Sequence, residues 1–218
     1  MKVFDVLRDS WFFFRHNLFD IIVLCLPWLL LETLARRQLQ GLGESNAAVL
    51  YDVLISLLCY PLYSGALILF LEARSNAEQP AKLALLSASL RLWPRFVLLA
   101  GISTLAIVFG AALFILPGLW VMVRLIFADY LLVLRGLSPL QAMQQSLQLT
   151  RGHFWPILSC VLLVMAPISL FSFWAGSVAG DGVARLLLDA LLGLCPLFTT
   201  VLLFRLYMLR TADGMRDE

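Results

Sequence analysis

From Phe96 to Trp155 the chain reads FVLLAGISTLAIVFGAALFILPGLWVMVRLIFADYLLVLRGLSPLQAMQQSLQLTRGHFW. Phe96–Leu116 carries no charge, Leu116-Pro117-Gly118 interrupts the apolar run, and Leu119–Leu134 resumes it. About 20 apolar residues, each rising about 1.5 Å, cross the roughly 30 Å core of a bilayer. The stretch predicts a membrane hairpin turning at Pro117 and Gly118, followed by a helix over Ser138–Gly152 lying at the membrane face.

The rest of the chain has the same character. Of 218 residues 61% are hydrophobic and 14% charged, with a mean hydropathy of +0.91. A soluble domain is about half apolar and a quarter charged, so residues 1–218 read as one polytopic, all-α membrane domain. A net charge of +2 gives no reason to expect a nucleic-acid partner. Cys25, Cys59, Cys160 and Cys195 lie in apolar runs without CxxC spacing or histidine neighbours. They read as small buried hydrophobes, with no disulfide or metal expected. The mixed-charge N-terminus, with Asp20 interrupting the first apolar run, does not read as a cleaved signal peptide.

Taken in order, Phe4, Leu7, Trp11 and Phe14 recur at helical spacing, predicting an interfacial helix over 3–16. Spans follow at about 18–35, 48–72, 96–116, 119–134, 155–175 and 186–207, with amphipathic helices at about 82–93 and 138–151. The expected fold is six transmembrane helices as three hairpins, each preceded by a short cytoplasmic amphipathic helix. Segments beginning at Ser10, Ser89 and Ser146 open the hairpins in similar fashion, and Cys59-Tyr60-Pro61-Leu62 resembles Cys195-Pro196-Leu197. Such a pattern would be a parallel threefold repeat about the membrane normal.

Basic residues set the orientation. Lys2, Arg8, Arg15, Arg74, Lys82, Arg91, Arg95, Arg135, Arg151, Arg205, Arg210 and Arg216 fall on one side, against Arg36, Arg37 and Arg185 on the other. Both termini are therefore expected in the cytoplasm.

Ser138 and Pro139 fit an N-cap and first helical position, and Gln141 completes a capping box. Arg151 and Gly152 fit the C-terminal end. Leu140, Met143 and Leu147 form one face, and Gln141, Gln144, Gln145 and Gln148 the other. Without lysine, that polar face does not suit anionic lipid. The helix reads as docked on the cytoplasmic ends of the spans or on a protein partner, and equally as a solvated surface helix.

Arg124 lies within the fourth span, where an unpaired cation costs roughly 2.5–3.5 kcal/mol. Glu32, Asp52 and Asp189 fall in the outward halves of their spans and are its expected partners, while Asp129 at i+5 points away from it. These groups read either as a polar cavity for an anionic headgroup or ions, or as a buried structural pair with a snorkelling arginine. Pro27, Pro61, Pro167 and Pro196 read chiefly as helix kinks, and His16 and His153 as interfacial residues. HExxH, GxSxG, Walker and Rossmann patterns are absent from the sequence, so no catalytic residue, cofactor or enzymatic activity is expected.

Leu116-Pro117-Gly118, Arg124, Ser138-Pro139-Leu140-Gln141-Ala142-Met143 and Leu149-Thr150-Arg151-Gly152-His153-Phe154-Trp155 resemble the YciC family of bacterial inner-membrane proteins. They are also similar to the membrane domain of some glycerophosphodiester phosphodiesterases. The ending Leu203–Arg210 is similar to the YciC C-terminus. The resemblance implies a six-span, multi-pass inner-membrane protein of a Gram-negative bacterium without a catalytic domain. Two functions follow as expectations. One is a role in envelope or lipid homeostasis through contacts with membrane lipid or a protein partner at the cytoplasmic face. The other is a small transporter or channel with a polar cavity near Arg124.

Overall fold

The structure is a computed structural model that describes residues 3–40, 46–76, 78, 81–178, 196–209 and 211. Its helices are α1 (Val3–His16), α2 (Leu18–Gln40), α3 (Asn46–Ser75), α4 (Lys82–Leu113), α5 (Ile115–Leu125), α6 (Ala128–Arg135), α7 (Pro139–Leu149), α8 (Phe154–Val178) and α9 (Pro196–Leu209). Among the described residues there is no strand. Among the described residues four stretches are long and apolar enough to cross a membrane: Leu18–Arg36, Tyr51–Ser75, Lys82–Leu113, and Leu116–Arg135 across α5 and α6. α7 and α8 meet at a bend of 104° and together make a fifth candidate. The first half of the expected sixth span, with Asp189, lies outside the described residues.

The core draws on α2, α3, α5, α6, α8 and α9, where Cys25, Leu67, Leu71, Val123, Leu131, Ile157 and Leu202 are fully buried. α4 has the opposite balance. Leu105, Val108, Phe109 and Leu113 on its outer side are all exposed, the arrangement expected of a span facing hydrocarbon.

Three features differ from the sequence-based expectation. The hairpin turn falls at Phe114, whose extended backbone (φ −163°, ψ 155°) separates α4 from α5. Pro117 and Gly118 belong to the first turn of α5, where a missing proline N–H costs no helical bond. Gly118 serves close approach: a Cβ there would stand 2.8 Å from the N, Cα and Cβ of Ala111, and one on Gly110 only 3.0 Å from the Cα of Gly118. Second, the amphipathic segment 82–93 is no separate helix. It runs through Pro94 into the third span as one 32-residue helix.

Third, α7 runs at 104° to α8, and the face it turns inward is neither its leucine face nor its glutamine face. It folds back against α6, α4 and α5, burying Ala142 and Ser146, with Thr150 just beyond its end, and leaving Leu140 62% exposed. The small-residue face turns inward because the fourth span breaks at Ile126–Phe127. A break in apolar surroundings leaves backbone groups that water cannot satisfy. The Ser146 hydroxyl fills it, donating to the Arg124 carbonyl at 2.7 Å and accepting from the Phe127 N–H at 3.2 Å.

Ser89 uses its hydroxyl similarly, donating to the Leu62 carbonyl of α3 at 2.9 Å. Trp93 Nε1 adds a bond to Leu58 O at 3.0 Å. Ser10, in the first of the three similar segments, is also fully buried. α1 lies against α9, with the Trp11 and Phe14 rings edge-on to Phe198 at 5.7 and 5.5 Å.

Gly118→Val should destabilise the protein by about 1–3 kcal/mol through overpacking, because the obstructing atoms include Ala111 backbone. Unfolding of the detergent-solubilised variant, followed by tryptophan fluorescence, checks this. Stability equal to wild type would contradict the close approach.

Candidate functional site

α3, α6 and α9 bring a set of polar groups together inside the bundle. Tyr60 and Ser64 come from α3, Asp129 and Tyr130 from α6, and Thr199 and Thr200 from α9. They line a cavity of about 290 Å³, whose wall is completed by Ser103 of α4 and by apolar residues including Ile107, Met122, Ile126 and Met165. The Tyr60 hydroxyl donates to Asp129 Oδ2 at 2.8 Å. Tyr130 donates to the Thr200 carbonyl at 2.9 Å, tying α6 to α9. The buried Thr199 hydroxyl finds no hydrogen-bond partner among the described residues. An unmatched hydroxyl beside a carboxylate, in a space large enough for a guest, marks a place for a polar ligand or water.

A second cavity, about 370 Å³, lies between α3 and α4. Asp52, Ser56, Ser103 and Thr104 contribute its polar wall, and it shares Tyr60, Ser103, Ile107 and Asp129 with the first. The Tyr60–Asp129 pair thus stands between two chambers. The charged residues lining them are both carboxylates, Asp52 and Asp129.

Asp52 is anchored by Arg36. That guanidinium bonds Asp52 Oδ1 and Ser56 Oγ and reaches Glu32 Oε1 through Nη2 at 2.7 Å and Nε at 3.3 Å. Glu32 is itself buried. Pairing one oxygen of the buried Glu32 with Arg36 offsets much of the cost of a lone buried carboxylate, while Asp52 on the exposed side completes the fork.

Arg124 does not join these carboxylates, contrary to expectation. Its Nη1 donates to Leu147 O at 2.9 Å and to Thr150 Oγ1 at 3.3 Å, and its guanidinium carbon lies 5.1 Å from the Trp120 ring centroid. It caps the C-terminus of α7, where carbonyls without helical partners favour a cation. The expected partners fail for a simple reason: Glu32 and Asp52 are held on Arg36. Asp189 lies outside the described residues. The cavity forms around Asp129 rather than Arg124.

On the docking helix, Gln141 Oε1 accepts from the Ser138 N–H at 3.2 Å. Gly152 adopts the left-handed conformation at φ +75°. Arg151 is exposed, while Met143 and Leu147 are half-buried. Among the described residues no group of three His, Cys, Asp or Glu could hold a metal ion.

A family model described as "Uncharacterised protein family (UPF0259)" matches residues 46–209. The chain belongs to this family. Among its relatives are UPF0259 membrane proteins of Yersinia pestis (strain Pestoides F) and Yersinia pseudotuberculosis (serotype O:3, strain YPIII). Each is 29% identical over 150 residues, covering 68% of this chain and 59% of the relative. The aligned region therefore spans about three fifths of those relatives. No solved structure matches. The UPF0259 match makes the chain a multi-pass membrane protein, in agreement with its several apolar helices, and lends no support to the likeness to phosphodiesterase membrane domains.

Two patterns in this UPF0259 chain were legible yet unrecognised in the sequence. Arg36 stands at i+4 from Glu32, the spacing of a helical ion pair. Ser146 and Thr150 stand at i and i+4 on the small-residue face of α7. Neither pattern announces its long-range partner.

Arg36→Leu should cost about 3–5 kcal/mol by leaving Glu32 buried and unpaired, and Glu32→Gln added to it should recover much of that. A double-mutant cycle on unfolding in mixed micelles measures both. Independent, additive effects would rule out the pair. Ser146→Ala should cost about 1–3 kcal/mol by stripping Phe127 N–H and Arg124 O of a partner, with a local rise in hydrogen exchange at the break.

Proposed function

We propose that this protein is a non-enzymatic membrane carrier for a small monovalent cation or proton, and that Asp129 is its intramembrane site. One observation supports this most: two adjoining cavities meet at the Tyr60–Asp129 hydrogen bond, and among the described residues the charged groups lining them are carboxylates. Ionisable groups within spans are costly and, when they face a cavity, are by default candidates for an ion path. Asp52 and Ser56 would form one approach. Ser64, Thr199 and Thr200 would supply oxygen ligands on the other side of the pair. Oxygen-only lining suits alkali cations, hydronium or protons relayed between hydroxyls.

The setting belongs to the same proposal. The gathering of lysine and arginine at the ends carrying α1, the α3–α4 connection and the α6–α7 connection supports an inner-membrane protein with both termini cytoplasmic. The YciC resemblance supports a Gram-negative envelope. A second reading, service to envelope or lipid homeostasis through lipid or protein contacts, has its own support. α7 keeps Gln141, Gln144 and Gln148 exposed beside Leu140, an amide-rich surface suited to a protein partner.

Reconstituted liposomes separate the readings. With an imposed potential, the wild-type protein should pass protons, sodium or potassium, read by entrapped ion-sensitive dyes, faster than protein-free liposomes. Asp129→Asn, folded and reconstituted equally well, should lower that flux about tenfold or more, and Asp52→Asn should lower it less. No flux of any of the three ions above the protein-free background would sink the carrier reading. In that case site-specific crosslinking from Gln144 becomes the decisive measurement for the second.

A further inference from the structure

A third cavity, unrelated to the first two, opens at the end of the bundle where α3 and α9 finish and α1 crosses them. It measures about 300 Å³ and is lined by Phe13, Leu71, Arg74, Ser75, Val201, Phe204 and Arg205. Its two charged residues are both arginines. Their surroundings leave positive charge over. Among the described residues Asp20 is the one carboxylate that reaches Arg74, at 3.1 Å, and it is shared with Lys82 Nζ at 2.9 Å. One anion thus faces two cations. Arg205 has no carboxylate within ion-pair distance among the described residues. It rests on the Phe13 ring, with its guanidinium carbon 5.3 Å from the centroid.

The donors are also incompletely used. The Nε–H of Arg74 is buried and finds no acceptor among the described residues, while the guanidinium is steadied at 5.8 Å over Phe70. A buried donor without a partner is costly to leave. An oxyanion in this cavity would accept from it, from the free edge of Arg205 and from the Ser75 hydroxyl. Planar guanidinium groups converging from two helices match the tetrahedral oxygens of phosphate, which arginine forks bind in pairs. Basic pockets between spans at a membrane face are also where anionic headgroups sit. The aliphatic floor of Leu71 and Val201 adds an apolar contact that a bare ion would not need.

From this geometry we infer that the Arg74–Arg205 cavity is a phosphate-binding site, taking a phosphate group either from an anionic phospholipid headgroup or as the free ion. The inference is independent of the cation path at Asp129.

The test uses the full-length protein in a zwitterionic detergent at fixed ionic strength. One arm titrates inorganic phosphate against chloride. The other adds phosphatidylglycerol or phosphatidylcholine to the micelles. Thermal unfolding reads both arms, since a ligand bound only to the folded state raises its midpoint with concentration. Stabilisation by phosphatidylglycerol but not phosphate assigns the lipid headgroup. Stabilisation by phosphate with or without the lipid assigns the phosphate group itself.

In either case Arg205→Gln should weaken apparent affinity about tenfold or more. Arg205→Lys, a point charge without the fork, should restore part of it. Arg205 holds no ion pair among the described residues, so this variant should fold even where Arg74→Gln, which releases Asp20, does not. Arg91→Gln, on exposed α4 surface, should leave the response unchanged. Absence of stabilisation by both ligands, or an equal response in wild type and Arg205→Gln, overturns the inference.

Discussion

A backbone inside hydrocarbon has no solvent to fall back on, so every interruption of a helix must be answered by another part of the protein. The fourth span is interrupted at Ile126–Phe127 without proline or glycine. The answer comes from α7, in both directions. Ser146 of α7 satisfies the Arg124 carbonyl and the Phe127 N–H, and the Arg124 side chain satisfies the Leu147 carbonyl at the end of α7. Each segment completes the other. This exchange draws α7 into the bundle and makes its small residues the inward face. It also fixes α6, and α6 carries Asp129 and Tyr130 to the cavity.

The polar residues therefore divide by task. Arg36 holds Glu32 and Asp52 at one end of the bundle, Asp20 holds Arg74 and Lys82 near the other, and Arg124 is a cap. Groups with spare capacity line the main cavity: Asp129 bound by a single phenol, and the Ser64 and Thr199 hydroxyls with no described partner. Paired charges hold helices together, whereas groups with spare hydrogen-bonding capacity are those that can receive a guest.

Much of the architecture was readable from hydropathy alone. The apolar runs around Ile21–Leu31, Val53–Leu71 and Phe96–Leu113 appear as long helices because a run of that length has few other stable forms in lipid. The glycine at 152 takes positive φ as its place after α7 demands. What the sequence could not supply was pairing across distance. Period-3.6 reasoning divided α7 into a leucine face and a glutamine face and passed over Ala142 and Ser146, because it weighs side-chain size and ignores the carbonyl that a hydroxyl can reach. It likewise assigned Pro117-Gly118 to a turn, where local propensity permits one, although Gly118 is needed for contact with Ala111. Arg124 was given a carboxylate partner because charge suggests charge. A helix terminus served instead, and no linear pattern marks a terminus folded back from elsewhere.

The contact of α1 with α9 bears on how the chain is made. Trp11 and Phe14 rest on Phe198, so α1 has its seat on a helix made after α8. Until ribosomal synthesis reaches α9, the aromatic helix α1 lacks that binding surface and must wait at the bilayer margin, where its rings are tolerated. Docking of α1 is then a late event joining residues far apart in the chain, with the loop-closure entropy that such long-range docking entails.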